Sequence, residues 1–225
     1  VSPPVPWAAP PHSRAGVFSS DGRFTTPSST GQPLNAANPV GGFNATNTNS
    51  GAISLTNSKA TLAVTGINQT GGSVAVNNTG NITTSGAITN NTAGQAISLT
   101  STAGVLTIGS AVTGLDSGAI NLTSTVGSNS ILVQDLVRTG TGSITGVSAG
   151  AITESGAGAL RTDGSLTTTS TTGQTLDGAN AVSSFNAINT NSGAISLTNT
   201  KATLVVTGIT PQIGGNITVN HTGDV

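Results

Sequence analysis

Apolar and polar residues alternate along short runs of this chain. Clear examples are residues 53–56 (Ile-Ser-Leu-Thr), 62–65 (Leu-Ala-Val-Thr) and 74–77 (Val-Ala-Val-Asn). A period of two residues is typical of a strand with one buried face, and β-branched Val, Ile and Thr suit this conformation. Clusters of Gly, Asn, Ser and Asp-Gly bound the runs and indicate turns. Apolar residues do not follow a helical spacing over any useful length, so we predict an all-β chain.

A short phrase recurs within this pattern. Its versions GAISLTN, QAISLTS, GAINLTS and GAISLTN place their central isoleucines at Ile53, Ile97, Ile120 and Ile195. The interval from each of these isoleucines to the next is near a multiple of a unit in the low to middle twenties. This period predicts a solenoid with about 20 to 25 residues per coil.

A much longer segment is also repeated. FNATNTNSGAISLTNSKATLAVTG at residues 43–66 returns as FNAINTNSGAISLTNTKATLVVTG at residues 185–208, and the match extends in both directions. The chain thus comprises a long block at residues 21–162 and a partial copy of it at residues 163–225. The differences within the quoted segments are Thr46 against Ile188, Ser58 against Thr200 and Ala63 against Val205.

Short strands between turns also fit a β-sandwich, and the repeats decide between the two folds. A sandwich does not require near-identical segments, whereas stacked coils place equivalent positions directly above one another, about 4.8 Å apart. We therefore predict a parallel β-helix of roughly nine or ten coils, about 45 Å long, with about six coils in the long block. Ile, Leu and Val form its inward ladders, Asn forms hydrogen-bonded ladders at the turns, and Thr and Ser face water. Alternation predicts a partly exposed site at Ala63.

The composition fits a narrow aliphatic core. Aromatic residues make up 2% of the 225 residues and charged residues 6%, against about 25% charged residues in an average soluble domain. A narrow core of stacked aliphatic side chains has little room for rings, which explains the scarcity of aromatics. The net charge of -1 argues against disorder and against nucleic acid as a partner. The chain has no cysteine for a disulfide or a thiolate metal site.

Residues 1–19 lie outside the repeat. Their prolines cannot donate to a strand ladder, and the single Trp7 lies among them. We expect an irregular lead here, acting as a tail, cap or linker, followed by one solenoid at residues 20–225. The lead lacks the basic residues and apolar core of a signal peptide, and no run of about 18 apolar residues occurs. If the protein is exported, we expect this chain to be a mature piece or a fragment.

Residues 162–209, TDGSLTTTSTTGQTLDGANAVSSFNAINTNSGAISLTNTKATLVVTGI, resemble the repeats of the filamentous haemagglutinin family. These large adhesins of Gram-negative bacteria are exported by two-partner secretion or as autotransporter passengers, and the likeness covers residues 20–225. It implies a right-handed parallel β-helix that serves as a secreted or cell-surface stalk in adhesion, without catalysis. It also implies a host-cell or matrix receptor and an outer-membrane secretion partner. The Asn-Pro-Asn motifs of the family's secretion domain and a translocator barrel are missing from this sequence.

Catalysis remains the least favoured of the functions considered. Some parallel β-helices cleave polysaccharides, which requires clustered carboxylates, often with Arg or Lys. Asp116 and Asp135 are spaced so that they could lie on neighbouring coils near Arg138, as a surface ion pair, as turn residues or as a site. His12 and His221 are isolated, so we predict no enzyme, no metal and no cofactor. The remaining acids are Asp21, Asp163 and Asp177, which precede glycine as turn residues do, with Glu154 and Asp224.

Surface features leave binding roles open. Thr167, Thr169 and Thr171 could form a flat outward array of the kind that ice-binding solenoids use, or could simply reflect strand propensity. The alternative to a stalk is therefore a free-standing ice- or glycan-binding solenoid. Exposed strand edges at a cut between coils would favour end-to-end self-association. Some adhesins of the resembled family are glycosylated at Asn-x-Ser/Thr sequons. Such sequons occur in this chain at Asn44, Asn68, Asn77, Asn81, Asn90, Asn121, Asn216 and Asn220.

Overall fold

The computed structural model describes residues 16–212 and 214–225, which form an all-β solenoid of about nine turns without a helix. Its strands pair in parallel throughout, and the predicted fold class is confirmed. Trp7, His12 and most of the predicted lead lie outside the described residues. The strands are β1 (Ser20–Ser28), β2 (Gln32–Asn38), β3 (Val40–Asn47), β4 (Ile53–Asn57), β5 (Thr61–Gln69), β6 (Val74–Asn78), β7 (Asn81–Thr84), β8 (Ile88–Asn90), β9 (Ile97–Ser101), β10 (Leu106–Ile108), β11 (Val112–Gly114), β12 (Ile120–Ser124), β13 (Ile131–Val133), β14 (Leu136–Arg138), β15 (Ile144–Ser148), β16 (Ile152–Glu154), β17 (Ala159–Ser170), β18 (Gln174–Asn189), β19 (Ile195–Asn199), β20 (Val205–Thr210) and β21 (Ile217–His221).

Each coil contributes one strand segment to each of three parallel stacks, which we name A, B and C in chain order. Successive members of an inward row are about 20 to 25 residues apart, as the sequence period predicts. An inward row of stack A contains Ile53, Val74, Ile97, Ile120, Ile144, Leu166 and Phe185. An inward row of stack B contains Leu62, Ile82, Leu106, Ile131, Ile152, Gln174 and Ile195. An inward row of stack C contains Ile67, Ile88, Val112, Val137 and Leu160.

Alternation of side chains across each strand produces the core. In β4, Ile53 and Leu55 are buried, while Ser54 and Thr56 between and beside them are half exposed. Stacking repeats this arrangement in every coil, so the buried aliphatic residues form one continuous cluster. Each such side chain stabilises the fold by about 1.5 to 3 kcal/mol through removal of apolar surface from water. Ala63 is half-buried, as predicted, and its counterpart Val205 is 54% exposed.

The prediction that the core has little room for rings is wrong at two positions. Phe43 and Phe185 are both fully buried within inward rows. The ring of Phe43 stacks on that of Phe24, with 6.5 Å between centroids and 12° between planes. A ring that lies nearly parallel to the ring of the next coil occupies little height along the solenoid. Parallel stacking therefore accommodates Phe43, whereas Phe185 lies in its row between Leu166 and Val206.

Buried polar side chains stack from coil to coil at the corner where the strands of stack A end. They form the hydrogen-bonded ladder predicted for asparagine. Asn57 donates from Nδ2 to Asn78 Oδ1 at 2.9 Å and to the Val40 carbonyl at 3.1 Å, and its Oδ1 accepts from the Val40 amide at 2.8 Å. These bonds satisfy backbone groups that the strand ladder leaves free at the corner. Buried members of this row include Asn38, Asn57, Asn78, Ser101, Ser124 and Ser148.

Glycine is required where coils meet closely at a turn. Gly71 has a φ of 98°, and a β-carbon built on it would lie 1.8 Å from the carbonyl oxygen of Asn49 in the preceding coil. No side chain fits at this distance, and the backbone conformation itself favours glycine. The close approach of neighbouring coils at this turn therefore requires glycine at position 71.

The two copies of the long repeat occupy different faces of the solenoid. Ile53 lies in stack A, but its counterpart Ile195 lies in stack B, between Gln174 and Ile217. The offset between the copies corresponds to six coils and one further face, which is one third of a turn. The expectation that repeated positions lie directly above one another therefore holds for Ile53, Ile97 and Ile120 and fails for Ile195. The reason is that the block does not contain a whole number of coils.

Candidate functional site

The acids predicted as turn residues, Asp21, Asp163 and Asp177, lie instead within β1, β17 and β18, at irregularities of strand register, and two of them form ion pairs. Lys59 contacts Asp21, and Lys201 contacts Asp163, with the same 38-residue separation in each copy of the repeat. The hydrogen bond and positive charge of Lys59 hold the pKa of the exposed Asp21 below its usual value. Each pair joins a strand of one coil to the loop that follows a strand of another coil. These carboxylates act as surface contacts between coils, and surface pairs of this kind contribute little to stability.

Asp116 and Asp135 do not converge on Arg138. Asp116 follows β11 with a φ of 48°, and its carbonyl accepts from Thr139 Oγ1 at 3.0 Å. Asp135 precedes β14, where its carboxylate accepts from the Leu136 amide at 2.7 Å. Among the described residues, neither carboxylate forms an ion pair with Arg138. Both acids are turn residues at opposite edges of stack C, which is one of the interpretations that the sequence left open.

Glu154 is a half-buried residue to which the sequence analysis assigned no role. Its Oε2 accepts from the Gly178 amide at 2.7 Å and from Asn180 Nδ2 at 3.0 Å, both on the next coil. Its Oε1 is buried and lacks a hydrogen-bond partner among the described residues. Burial raises the pKa of Glu154 to about 6, although both hydrogen bonds oppose the shift and the charge of Asp177 adds to it.

A signal for this position was present in the sequence. Glu154 follows Ile152 by two residues, so the period-two rule places both side chains on the same, inward face of β16. A carboxylate in phase with a buried isoleucine is unusual, because buried charges require partners. Glu154 connects β16 to the irregular part of β18, where the register shifts between Leu176 and Asn180.

His221 lies at the position of the second repeat that corresponds to Asn78. Its Nδ1 is 3.3 Å from Asn199 Nδ2 and 3.2 Å from the Asn199 carbonyl oxygen, and its Nε2 is buried without a partner among the described residues. The imidazole thus belongs to an equivalent polar ladder, which the second copy places at the corner after stack B. Within residues 16–212 and 214–225, it forms no ion pair with an acid. Among the residues that the structure describes, no group of three or more His, Cys, Asp or Glu residues could hold a metal ion.

The outward face of stack A carries two rows of side chains, most of them small and polar. Thr167 and Thr169 lie side by side there, but Thr168 between them is buried and hydrogen-bonds to Gln174. Thr171 lies beyond the strand, so the predicted array does not extend to it. In the other coils at least one of the two positions is not threonine. The two rows are Ser54, Ala75, Ser98, Asn121, Thr145, Thr167 and Asn186, and Thr56, Asn77, Thr100, Thr123, Val147, Thr169 and Ile188.

The outward row of stack C differs from the other rows because it carries adjacent charges. Arg138 of β14 pairs directly with Arg161 of β17, and both side chains are exposed. Sequence reasoning noted Arg138 but missed Arg161, because only the register of the coils brings the two together. The row contains Thr46, Asn68, Thr89, Thr113, Arg138, Arg161 and Ala181.

The predicted sequons differ in accessibility. Asn90 is 1% exposed, and its Nδ2 donates to the Gly72 carbonyl at 3.0 Å, so this candidate acceptor is inaccessible in the folded chain. An inward side chain at the end of β8 cannot meet a transferase. Asn44 and Asn121 are half-buried. The exposed sequon asparagines are Asn68, Asn77, Asn81, Asn216 and Asn220.

The fold defines the chain as a parallel β-solenoid. Comparisons with models of known protein families, with curated proteins and with solved structures gave no match. In the described part of the chain, no helix has the length and hydrophobicity needed to span a bilayer.

Proposed function

We propose that this chain is a structural stalk segment of a secreted or cell-surface adhesin of the filamentous haemagglutinin type, from a Gram-negative bacterium. In this role the solenoid holds a binding region away from the cell, and it requires no catalysis. A host-cell or matrix glycan or protein is the receptor, and an outer-membrane partner exports the chain. The proposal rests on the sequence resemblance together with one structural observation.

That observation is the continuity of the inward rows across the repeat boundary. Ile144 of the first block stacks on Leu166 of the second copy, and Ile152 stacks on Gln174. The second copy therefore extends the solenoid without a new type of interface. Such growth suits a protein whose task is reach, because each added coil lengthens the rod by about 4.8 Å.

The outward surface supports the same proposal. Charged residues are scarce, and the outward rows consist mainly of Thr, Ser and Asn, which hydrate well. Regular threonine pairs, which an ice-binding face would need, are confined to Thr167 and Thr169 among the paired rows of stack A. We therefore do not advance ice binding as a second function.

The test is to locate the native polypeptide in its source cells. Intact cells are treated briefly with protease, and the released peptides are identified by mass spectrometry while the residual chain is blotted. We expect peptides containing TLVVTG, from residues 203–208, to come from a surface chain far larger than 21.7 kDa. Peptides from a cytoplasmic protein of the same preparation serve as the lysis control.

Two results would contradict the proposal. One is release of these peptides only after the cells are lysed, which would place the chain inside. The other is a free, soluble protein with a mass near 21.7 kDa, which would favour an independent binding module. As a further check, a chain with one additional copy of residues 21–162 should be longer in electron micrographs by about 30 Å.

A further inference from the structure

We propose that Arg138 and Arg161 form a binding site for a carboxylate group of an acidic polysaccharide. The two arginines occupy directly opposed positions on adjacent parallel strands, β14 and β17. Their α-carbons are therefore about 4.8 Å apart, and both side chains leave the same outward face. The site is a property of the solenoid surface and is independent of the stalk function.

The pairing is unfavourable without a ligand. Like charges placed directly opposite each other on neighbouring strands destabilise a sheet. This chain has only six Lys and Arg residues in total, so an adjacent pair is not a consequence of a generally basic surface. Among the described residues, Lys59 and Lys201 contact carboxylates, whereas Arg138 and Arg161 form no ion pair. A bound anion would relieve the repulsion by bridging the two guanidinium groups.

The geometry fits a planar anion. A guanidinium presents its N–H donors in a fixed fork that matches the two oxygens of a carboxylate. Arg161 Nε donates to the Ala179 carbonyl at 3.3 Å, which leaves its terminal nitrogens for a ligand. The neighbours in the row are Thr113 and Ala181, which are small and leave the surface around the pair open.

The surroundings explain why the ligand is a polysaccharide with spaced charges. Asp116 and Asp135 lie at the two edges of stack C and disfavour a polyanion of high charge density. Thr89 and Thr113 continue the row from Arg138, so hydroxyl groups of adjoining sugars meet hydroxyl side chains. A carboxylate at one sugar can thus engage the arginines while its neutral neighbours lie along the threonines.

Binding is measured with the full chain and an oligosaccharide in which glucuronate alternates with neutral N-acetylglucosamine, by isothermal titration calorimetry at low salt. The matched ligand is the methyl-esterified oligomer, which keeps the sugar and removes the charge. Arg138→Thr and Arg161→Thr reproduce the residue type of the row and are the test variants. Arg23→Thr removes the same charge from an exposed site in stack B and is the matched control.

We expect the unesterified oligomer to bind and the ester to bind at least tenfold more weakly. Either test variant should weaken binding about tenfold to a hundredfold, as expected for loss of charge-assisted hydrogen bonds, while Arg23→Thr changes it less than twofold. The test variants should also be at least as stable to heat as the parent, because they remove the opposed charges. That readout separates loss of the site from loss of the fold.

Three results would overturn the proposal. The first is equal affinity for the acid and the ester, or no binding to either at millimolar concentration. The second is an equal effect of Arg23→Thr, which would indicate attraction by overall charge. The third is dextran sulfate binding more tightly than the alternating oligomer and losing affinity equally in all three variants, which would assign the interaction to unspecific polyanion binding.

Discussion

Acidification from pH 7.5 to pH 5 should stabilise this protein through Glu154. The pKa of this carboxyl is raised from 4.5 to about 6 in the folded chain, chiefly by burial. Between these two values the folded state binds more protons than the unfolded state, so stability falls as pH rises. The contribution of Glu154 is fully present below pH 4.5 and is lost as pH rises through 6. The shift of about 1.5 pKa units corresponds to about 2 kcal/mol in total.

The assay is urea unfolding followed by circular dichroism at several pH values across this range. Glu154→Gln is the comparison variant, because it cannot ionise and the contributions of the other titrating groups cancel in the difference. Since part of the total is already lost at pH 5, we expect the parent to lose about 1 kcal/mol relative to Glu154→Gln as pH rises from 5 to 7.5. Amide exchange at Gly178, whose N–H donates to Glu154 Oε2, supplies a local readout.

A difference between the two proteins that does not change with pH would refute this reasoning. So would a stability of the parent that rises relative to the variant above pH 6, because that sign requires a lowered pKa. Lys59 lowers the pKa of Asp21, so ionisation of Asp21 changes stability with pH in the opposite direction. This change occurs at pH values near and below the usual pKa of 3.8, which lie outside the range of the assay.

Further predictions concern the ladder, the turns and the sequons. Asn57→Ala should cost about 3 kcal/mol in urea unfolding, because it leaves buried backbone and amide groups unpaired, whereas the exposed Asn77→Ala should change stability by less than about 0.5 kcal/mol. Gly71→Ala should lower the melting temperature much more than Gly127→Ala, since both have positive φ but only Gly71 lacks space for a β-carbon. Treatment of the folded chain with an N-glycosyltransferase should leave Asn90 unmodified and modify Asn77, as read by peptide mass spectrometry.

The sequence predicted the class of fold because the physics of a solenoid is local and repetitive. Alternation in residues 53–56 identified the buried face, and the spacing of Ile53, Ile97 and Ile120 approximated the length of a coil. What it did not predict was the face on which the second copy lies. Coils differ in length by several residues, so small differences accumulate over the long block and only the assembled register shows the displacement.

The candidate site was less predictable for the same reason. Arg138 and Arg161 are one coil apart in sequence, and a change of one residue in the intervening turns would place them on opposite sides of the strand. The spacing of Asp116 and Asp135 is also close to one coil and left an ion pair, turn residues or a site open, and the structure places the two acids at different edges of stack C as turn residues. Sequence spacing indicates which residues belong to neighbouring coils, whereas contact between them depends on the length of each turn.

The one-face displacement of the repeat bears on how such a rod presents itself to its surroundings. Each added block presents the same outward residues rotated by one third of a turn about the long axis. After three blocks these residues face the original direction again. Any patch encoded once per block is then displayed as a spiral. A rod of several blocks would therefore present that patch to a flat cell or matrix surface whichever side of the rod faced the surface, without rotation of the rod about its long axis.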